Sequence, residues 1–146
     1  MKTMLEKANR EELIRRIEML NANSMPRWGK MTVYQMLKHC SLWDEMALGL
    51  TRYKRMFVGY LFGRIALKDM LKDKPMKQNV PTVPSFRMTD SGDIGPEKTR
   101  WITLLRDYDD SHLEMIVHPF FGKMTPEQTG LLAYKHADHH LRQFGC

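Results

Sequence analysis

The chain has 146 residues and sets 23 Lys and Arg against 17 Asp and Glu, a formal charge of +6 when its six histidines are counted neutral. This length suits a single domain over residues 1–146, burying about two-thirds of its unfolded surface, and 42% apolar with 27% charged residues exclude wholesale disorder and a fibrous repeat. The basic residues are scattered, densest at Arg52, Lys54 and Arg55, and no finger or RNA-binding signature accompanies them, so a solvated surface is expected, with neither nucleic acid nor membrane as partner.

The N-terminus, Met1 to Lys7, lacks the unbroken apolar stretch of an export signal. Asn9 followed by Glu12 has capping-box spacing and predicts the start of a first helix, in which Leu13, Ile14, Ile17 and Leu20 share one stripe. Asn21 to Lys30, with Pro26 and Gly29, reads as a turn. Thr32 and Gln35 repeat the capping-box pattern and predict a helix from Val33 to Leu50. Met56 to Leu71 predicts a shorter helix containing Gly59 and Gly63, whose spacing suggests close helix packing; its apolar run is far below the roughly 20 residues of a bilayer span. Lys72 to Pro96 holds Pro75, Pro81, Pro84, Gly92 and Gly95 without periodicity, and so long a loop suggests a cover over a site. Pro96 suits a helix start, and Trp101, Leu104, Leu105 and Tyr108 have the spacing of a buried stripe. Ser111 to Lys123 reads as an irregular connector. Thr125, Pro126 and Gln128 give the strongest helix start in the chain, with Gly145 as its stop. Four long helical patterns without a convincing strand pair predict an all-α bundle.

The chemistry is concentrated in histidines. At 100° per residue His136, His139 and His140 occupy one face of the last helix, with Thr129, Leu132, Ala133 and Gln143, while Lys135, Asp138 and Arg142 point outward. Buried imidazoles must be hydrogen-bonded or metal-bound, because an unpaired buried polar group costs about 1–3 kcal/mol. Two histidines four apart on a helix can converge on one ion. His39 is the candidate third ligand, centred on a stripe of Gln35, Met36, Leu42, Trp43, Met46 and Leu50. Three imidazoles leave a coordination position open for water or substrate. Neither Asp44 nor Glu45 falls on that stripe, so no general base is assigned. His139 could replace one of the pair or support it from outside; Gln35 and Gln143 could orient ligands or simply join helices; His118 could wall the pocket or anchor its turn; His112 is expected at the surface. Cys40, about 100° from His39, is read as a small buried residue ahead of a ligand. With Cys146 it makes only two cysteines and no CxxC pair, which suggests the cytoplasm.

Three segments carry a resemblance. Gln35 to Cys40, His118 to Gly122 and Tyr134 to Phe144 resemble the DinB-like superfamily of metal-binding four-helix bundles, in particular its branch called domain of unknown function 1569. The similarity covers most of the chain and is most specific at His136, His140 and Gln143. It implies a four-helix bundle with an additional short helix and a long loop between the central helices. It also implies a divalent ion held by one histidine of the second helix and two of the last, here His39, His136 and His140, with His139 outside the ligand set. Zinc or nickel is expected ahead of manganese or iron. Characterised relatives include transferases and isomerases that use low-molecular-weight thiols, so the resemblance implies a small-molecule substrate, a hydrolase or thiol-transferase activity, and a homodimer. The alternative is a non-catalytic small-ligand or metal-binding bundle.

Overall fold

In the computed structural model, which describes residues 1–108 and 113–146, five α-helices and one small hairpin follow the order α1 (Lys7–Glu18), α2 (Val33–Ala47), α3 (Phe57–Met70), α4 (Ile94–Arg106), β1 (Ile116–His118), β2 (Gly122–Met124) and α5 (Pro126–Gln143). A single 3-10 turn, Pro84–Phe86, interrupts the long segment between α3 and α4. The fold is a mostly helical bundle: α2 packs on α4 and α5, and α1 packs on α4 and α5, so these four helices close a ring. No helix among the described residues is long and apolar enough to cross a membrane.

The amphipathic stripes drive this closure. Leu13, Ile14 and Ile17 of α1, Met36, Leu37, Cys40, Trp43 and Met46 of α2, Trp101 and Leu105 of α4, and Leu132, Ala133, Ala137 and Leu141 of α5 form one buried core. Each fully buried Leu or Met side chain contributes about 1.5–3 kcal/mol of transfer free energy. Two capping boxes fix where the site-bearing helices begin. The Thr32 hydroxyl accepts from the Gln35 N–H while the Gln35 side chain accepts from the Thr32 N–H, and Thr125 and Gln128 do the same for α5.

The start of α1 departs from the predicted cap. Asn9 lies inside the helix and is buried, where its Nδ2 donates to the Thr3 carbonyl and the Glu6 carboxylate. The segment ahead of α1 is pinned, with Met4 fully buried and its N–H donating to the Gly130 carbonyl, so the chain is already in place to turn helical at Lys7. Helix α2 stops at Ala47 rather than Leu50: Gly49 adopts φ +75°, a left-handed stop after the Leu48 cap, and Leu50 is 65% exposed. Helix α4 starts two residues before Pro96, because the Asp93 side chain accepts from the Gly95 N–H and caps the turn. The connector of the sequence reading contains an antiparallel hairpin, Ile116 opposite Met124 and His118 opposite Gly122. Three-residue strands are too short to show an alternating pattern. The expectation for His112 lies outside the described residues.

The glycine spacing of α3 is explained by the hairpin. A Cβ at Gly63 would stand 2.0 Å from the Phe120 carbonyl oxygen, and one at Gly59 2.5 Å from it. The helix therefore seats against the hairpin turn at backbone distance, which only glycine permits.

Candidate metal centre

His39 sits in the middle of α2, buried because the stripe around it turns toward α5. His136 and His140, four residues apart on α5, are buried on the facing side. The three rings form a nearly equilateral triangle, with centroids 5.0 Å apart for His39 and His136, 4.9 Å for His39 and His140, and 4.6 Å for His136 and His140. One nitrogen of each lies within 4.8 Å of the others, and His39 Nε2 is 3.0 Å from His136 Nε2. Nitrogens held by one tetrahedral ion at about 2.0–2.1 Å are about 3.3–3.5 Å apart. With one pair at 3.0 Å and every pair within 4.8 Å, the triangle is compatible with a tris-imidazole ligand set.

The surrounding groups decide which nitrogen faces the centre. His39 Nδ1 lies 3.0 Å from the Phe86 carbonyl oxygen; a carbonyl only accepts, so Nδ1 carries the proton and Nε2 directs its lone pair inward. His140 is set by a longer relay. Gln143 Nε2 donates to the Trp28 carbonyl over 2.7 Å, which turns Gln143 Oε1 toward His140 Nδ1 at 2.9 Å. His140 must therefore also donate through Nδ1 and keep Nε2 free. His136 stacks on Trp43, with centroids 5.1 Å apart and planes 26° from parallel. Two preset lone pairs and a third ring nitrogen within reach are what a divalent cation requires, so the residues fit a metal.

Burial keeps these imidazoles unprotonated. Desolvation lowers His39 and drives His136 well below the ordinary imidazole range, with neighbouring His140 and His39 adding to the effect on His136. His140 falls to about 3 for the same reason. A neutral imidazole is the form that ligates.

The triangle forms part of the lining of a cavity of ≈ 420 Å³, whose other walls include Trp28, Trp43, Met70, Val83, Phe86 and Phe121. The long segment after α3 supplies Met76, Lys77 and Asn79 to Val83 as well as Phe86 to the lining of this cavity. Among the described residues no carboxylate lines this cavity. The chamber is apolar around a polar floor, the usual composition of a small-molecule site.

The other residues singled out from the sequence fall in different places. Gln143 faces inward and orients His140. Gln35 does not reach the cavity: it completes the α2 cap and donates to the Asp90 carbonyl. His118 has both roles considered for it. Its Nδ1 accepts from the Phe120 and Phe121 N–H groups, anchoring the turn, and its ring lines the cavity, with burial lowering its pKa to about 3. His139 is only half-buried, beside Trp28 at a centroid distance of 5.6 Å, and makes no hydrogen bond to the ligand candidates among the described residues. Cys40 is buried near the Met36 sulfur, 3.8 Å away, and is not among the converging donors.

Several residues that build the site gave no sequence signal. The carbonyls of Trp28 and Phe86 are backbone groups in irregular segments, and backbone carries no residue code. Asp44 is a different case. It is fully buried one turn beyond Cys40, where Trp101 Nε1 donates to one oxygen over 2.7 Å and the Tyr108 hydroxyl to the other over 2.5 Å. Its position off the His39 stripe hid it, yet Trp101 and Tyr108 on one stripe already offered two donors needing a buried acceptor. Burial raises its carboxyl to about 7 although both donors oppose the shift.

No curated protein and no solved structure matches this chain. The family described as "Protein of unknown function (DUF1569)" matches residues 1–145, nearly the whole chain and all three converging histidines. The protein belongs to the DUF1569 family.

Proposed function

We propose that the protein is a metal-dependent enzyme, a hydrolase or a thiol-dependent transferase, with His39, His136 and His140 holding one divalent ion and the cavity receiving a small-molecule substrate. The observation that carries this reading is the pair of preset tautomers: Phe86 and the Trp28–Gln143 relay hold His39 and His140 with free Nε2 lone pairs toward one point. Zinc or nickel suits three imidazoles better than the harder ions do, with iron or manganese behind them. Such an ion acts as a Lewis acid that brings the pKa of a bound water or thiol toward neutrality.

The chain's own residues shape the chamber. Trp43, Phe86 and Phe121 offer flat apolar walls, and the segment 76–83 lines the chamber beside them. Among the described residues no carboxylate lines the cavity, so a proton released there passes to a lining imidazole such as His139, to substrate or to bulk water. The reading fits a single DinB-like domain working in the cytoplasm, where Cys40 and Cys146 stay as free thiols.

Metal analysis of tag-free protein tests it. Near-stoichiometric zinc or nickel that is lost in His136→Ala supports the centre. A metal-free protein whose melting temperature ignores added zinc, nickel and manganese overturns it. In the cobalt-substituted protein, the visible spectrum of a reactive centre shifts when a small thiol is added, whereas a closed structural centre leaves it unchanged.

A further inference from the structure

His118 differs from the three converging histidines in the nitrogen it commits. It is buried at the end of β1, where the backbone N–H groups of Phe120 and Phe121 both donate to its Nδ1, each over 3.1 Å. An N–H only donates, so Nδ1 is the bare nitrogen and the neutral ring carries its proton on Nε2. This is the reverse of His39 and His140, which donate through Nδ1 and keep the Nε2 lone pair. His118 also stands outside the converging set; it has a proton, not a lone pair, to offer. The ring is held in place. It stacks on Phe121, with centroids 4.4 Å apart and planes 27° from parallel, and its centroid lies 6.3 Å from that of Phe86. Burial and the nearby Arg55 guanidinium keep it neutral, and a proton on Nδ1 would cost both turn hydrogen bonds.

Among the described residues no acceptor meets Nε2 of His118. The fully enclosed polar side-chain atoms left without a partner there are Ser41 Oγ, Thr51 Oγ1, Arg55 Nε and Thr129 Oγ1. Nε2 of His118 is not one of them, so it keeps accessible surface, and the cavity is what His118 lines. Lys30 and Lys77 line the same cavity, with no carboxylate among the described residues, so its charge favours an anionic or electron-rich ligand. We propose that His118 is a ligand-binding residue whose Nε2–H donates to a carbonyl-type oxygen of a small, flat carboxylate or acyl compound held against Trp43, Phe86 and Phe121. A buried donor without an acceptor is costly, and an oxygen of that kind satisfies it, most strongly when it carries charge. The proposal rests on the reading of the cavity as a small-molecule site beside a divalent ion, and it names the chemical class the cavity takes. It also gives one ring two tasks: Nδ1 holds the hairpin turn, and that hold fixes the proton on the nitrogen that meets the ligand.

Benzoate, a flat carboxylate, is the probe, and two substitutions separate the tasks of the two nitrogens. In His118→Asn the amide oxygen can still accept from the Phe120 and Phe121 N–H groups, but nothing replaces Nε2–H. His118→Gln brings an amide N–H to the Nε2 position and gives up the turn acceptor. Calorimetric titration of the zinc-loaded full chain should show benzoate binding that His118→Asn weakens about 10-fold or more at unchanged zinc stoichiometry, while His118→Gln stays within about 3-fold of wild type despite a lower melting temperature. A turn anchor and nothing more predicts the opposite order. Equal affinity in wild type and His118→Asn, or no benzoate binding by a chain that holds its zinc, overturns the proposal and leaves the metal centre standing. A chain that takes up no zinc overturns the metal reading instead, and side-chain nitrogen NMR of the metal-free wild type then decides for His118, as it does if the variants do not fold. A proton on Nε2 whose resonance moves when benzoate is added supports the proposal. A proton on Nδ1, or a resonance that ignores benzoate, overturns it.

Discussion

Gln143 shows how one side chain converts a helix position into chemistry. It lies one turn after His140, accepts from that ring and is itself held by a loop carbonyl, so removing it frees His140 to rotate and to exchange tautomers. Gln143→Leu should weaken zinc or nickel affinity by about 10–100-fold with the fold retained, measured by competition with a chromophoric chelator. The buried carboxylate makes a separate prediction. Asp44→Ala leaves Trp101 Nε1 and the Tyr108 hydroxyl without their acceptor, each at about 1–3 kcal/mol, so the variant should lose several kcal/mol in urea unfolding without changing metal stoichiometry. The histidine stripes of α2 and α5 and the inward Gln143 were legible because helical angle alone sorts residues by face. The Asp44 cluster was not, because its three members come from two helices and the segment after α4, and no local pattern links them.

The elements that carry the site are also those with the clearest local signals. Both capping boxes stand as the sequence indicates, and Thr125→Ala should cost about 1 kcal/mol, read as a lower thermal midpoint. The N-terminal cap at Asn9 illustrates the opposite case: its spacing was right, but the pinned segment around Met4 supplies an earlier start, and tertiary contact overrides a local preference. The seam between α3 and the hairpin gives a sharper test. Gly63→Ala places a methyl 2.0 Å from the Phe120 carbonyl, and since that neighbour is backbone, the helix and the turn must separate. A loss of about 1–3 kcal/mol is expected, with increased amide exchange in the hairpin. The hairpin itself was missed because three-residue strands carry no usable period.

At the scale of the whole molecule, pH separates the apo protein from the metal-bound one. His118 and His140 titrate near 6.5 when unfolded and at about 3 when folded, and His39 and His136 are shifted in the same direction. Folding therefore requires these groups neutral: their stabilisation is complete above pH 6.5 and is lost as pH falls toward 3, at up to about 1.4 kcal/mol per pH unit for each. Asp44 acts with the opposite sign. Its carboxyl is raised from 3.8 to about 7, so its contribution is complete below pH 3.8 and fades as pH rises to about 7. Burial lowers His139 as well, so five histidines against one carboxyl decide the net slope, and apo stability should fall on acidification from pH 6.5 to 4; Asp44→Asn should steepen that fall by removing the opposing group. Metal should add to the effect, since protons compete for the same nitrogens, so the melting-temperature gain from zinc should shrink over the same range. The sequence by itself determined the helices, their buried faces and the three histidines that meet, because each depends on residue type repeated at a fixed angular step. Only the tertiary structure decided which nitrogen of each ring looks inward and what lines the chamber. Those depend on backbone carbonyls and loop paths, which are fixed only when distant segments pack together.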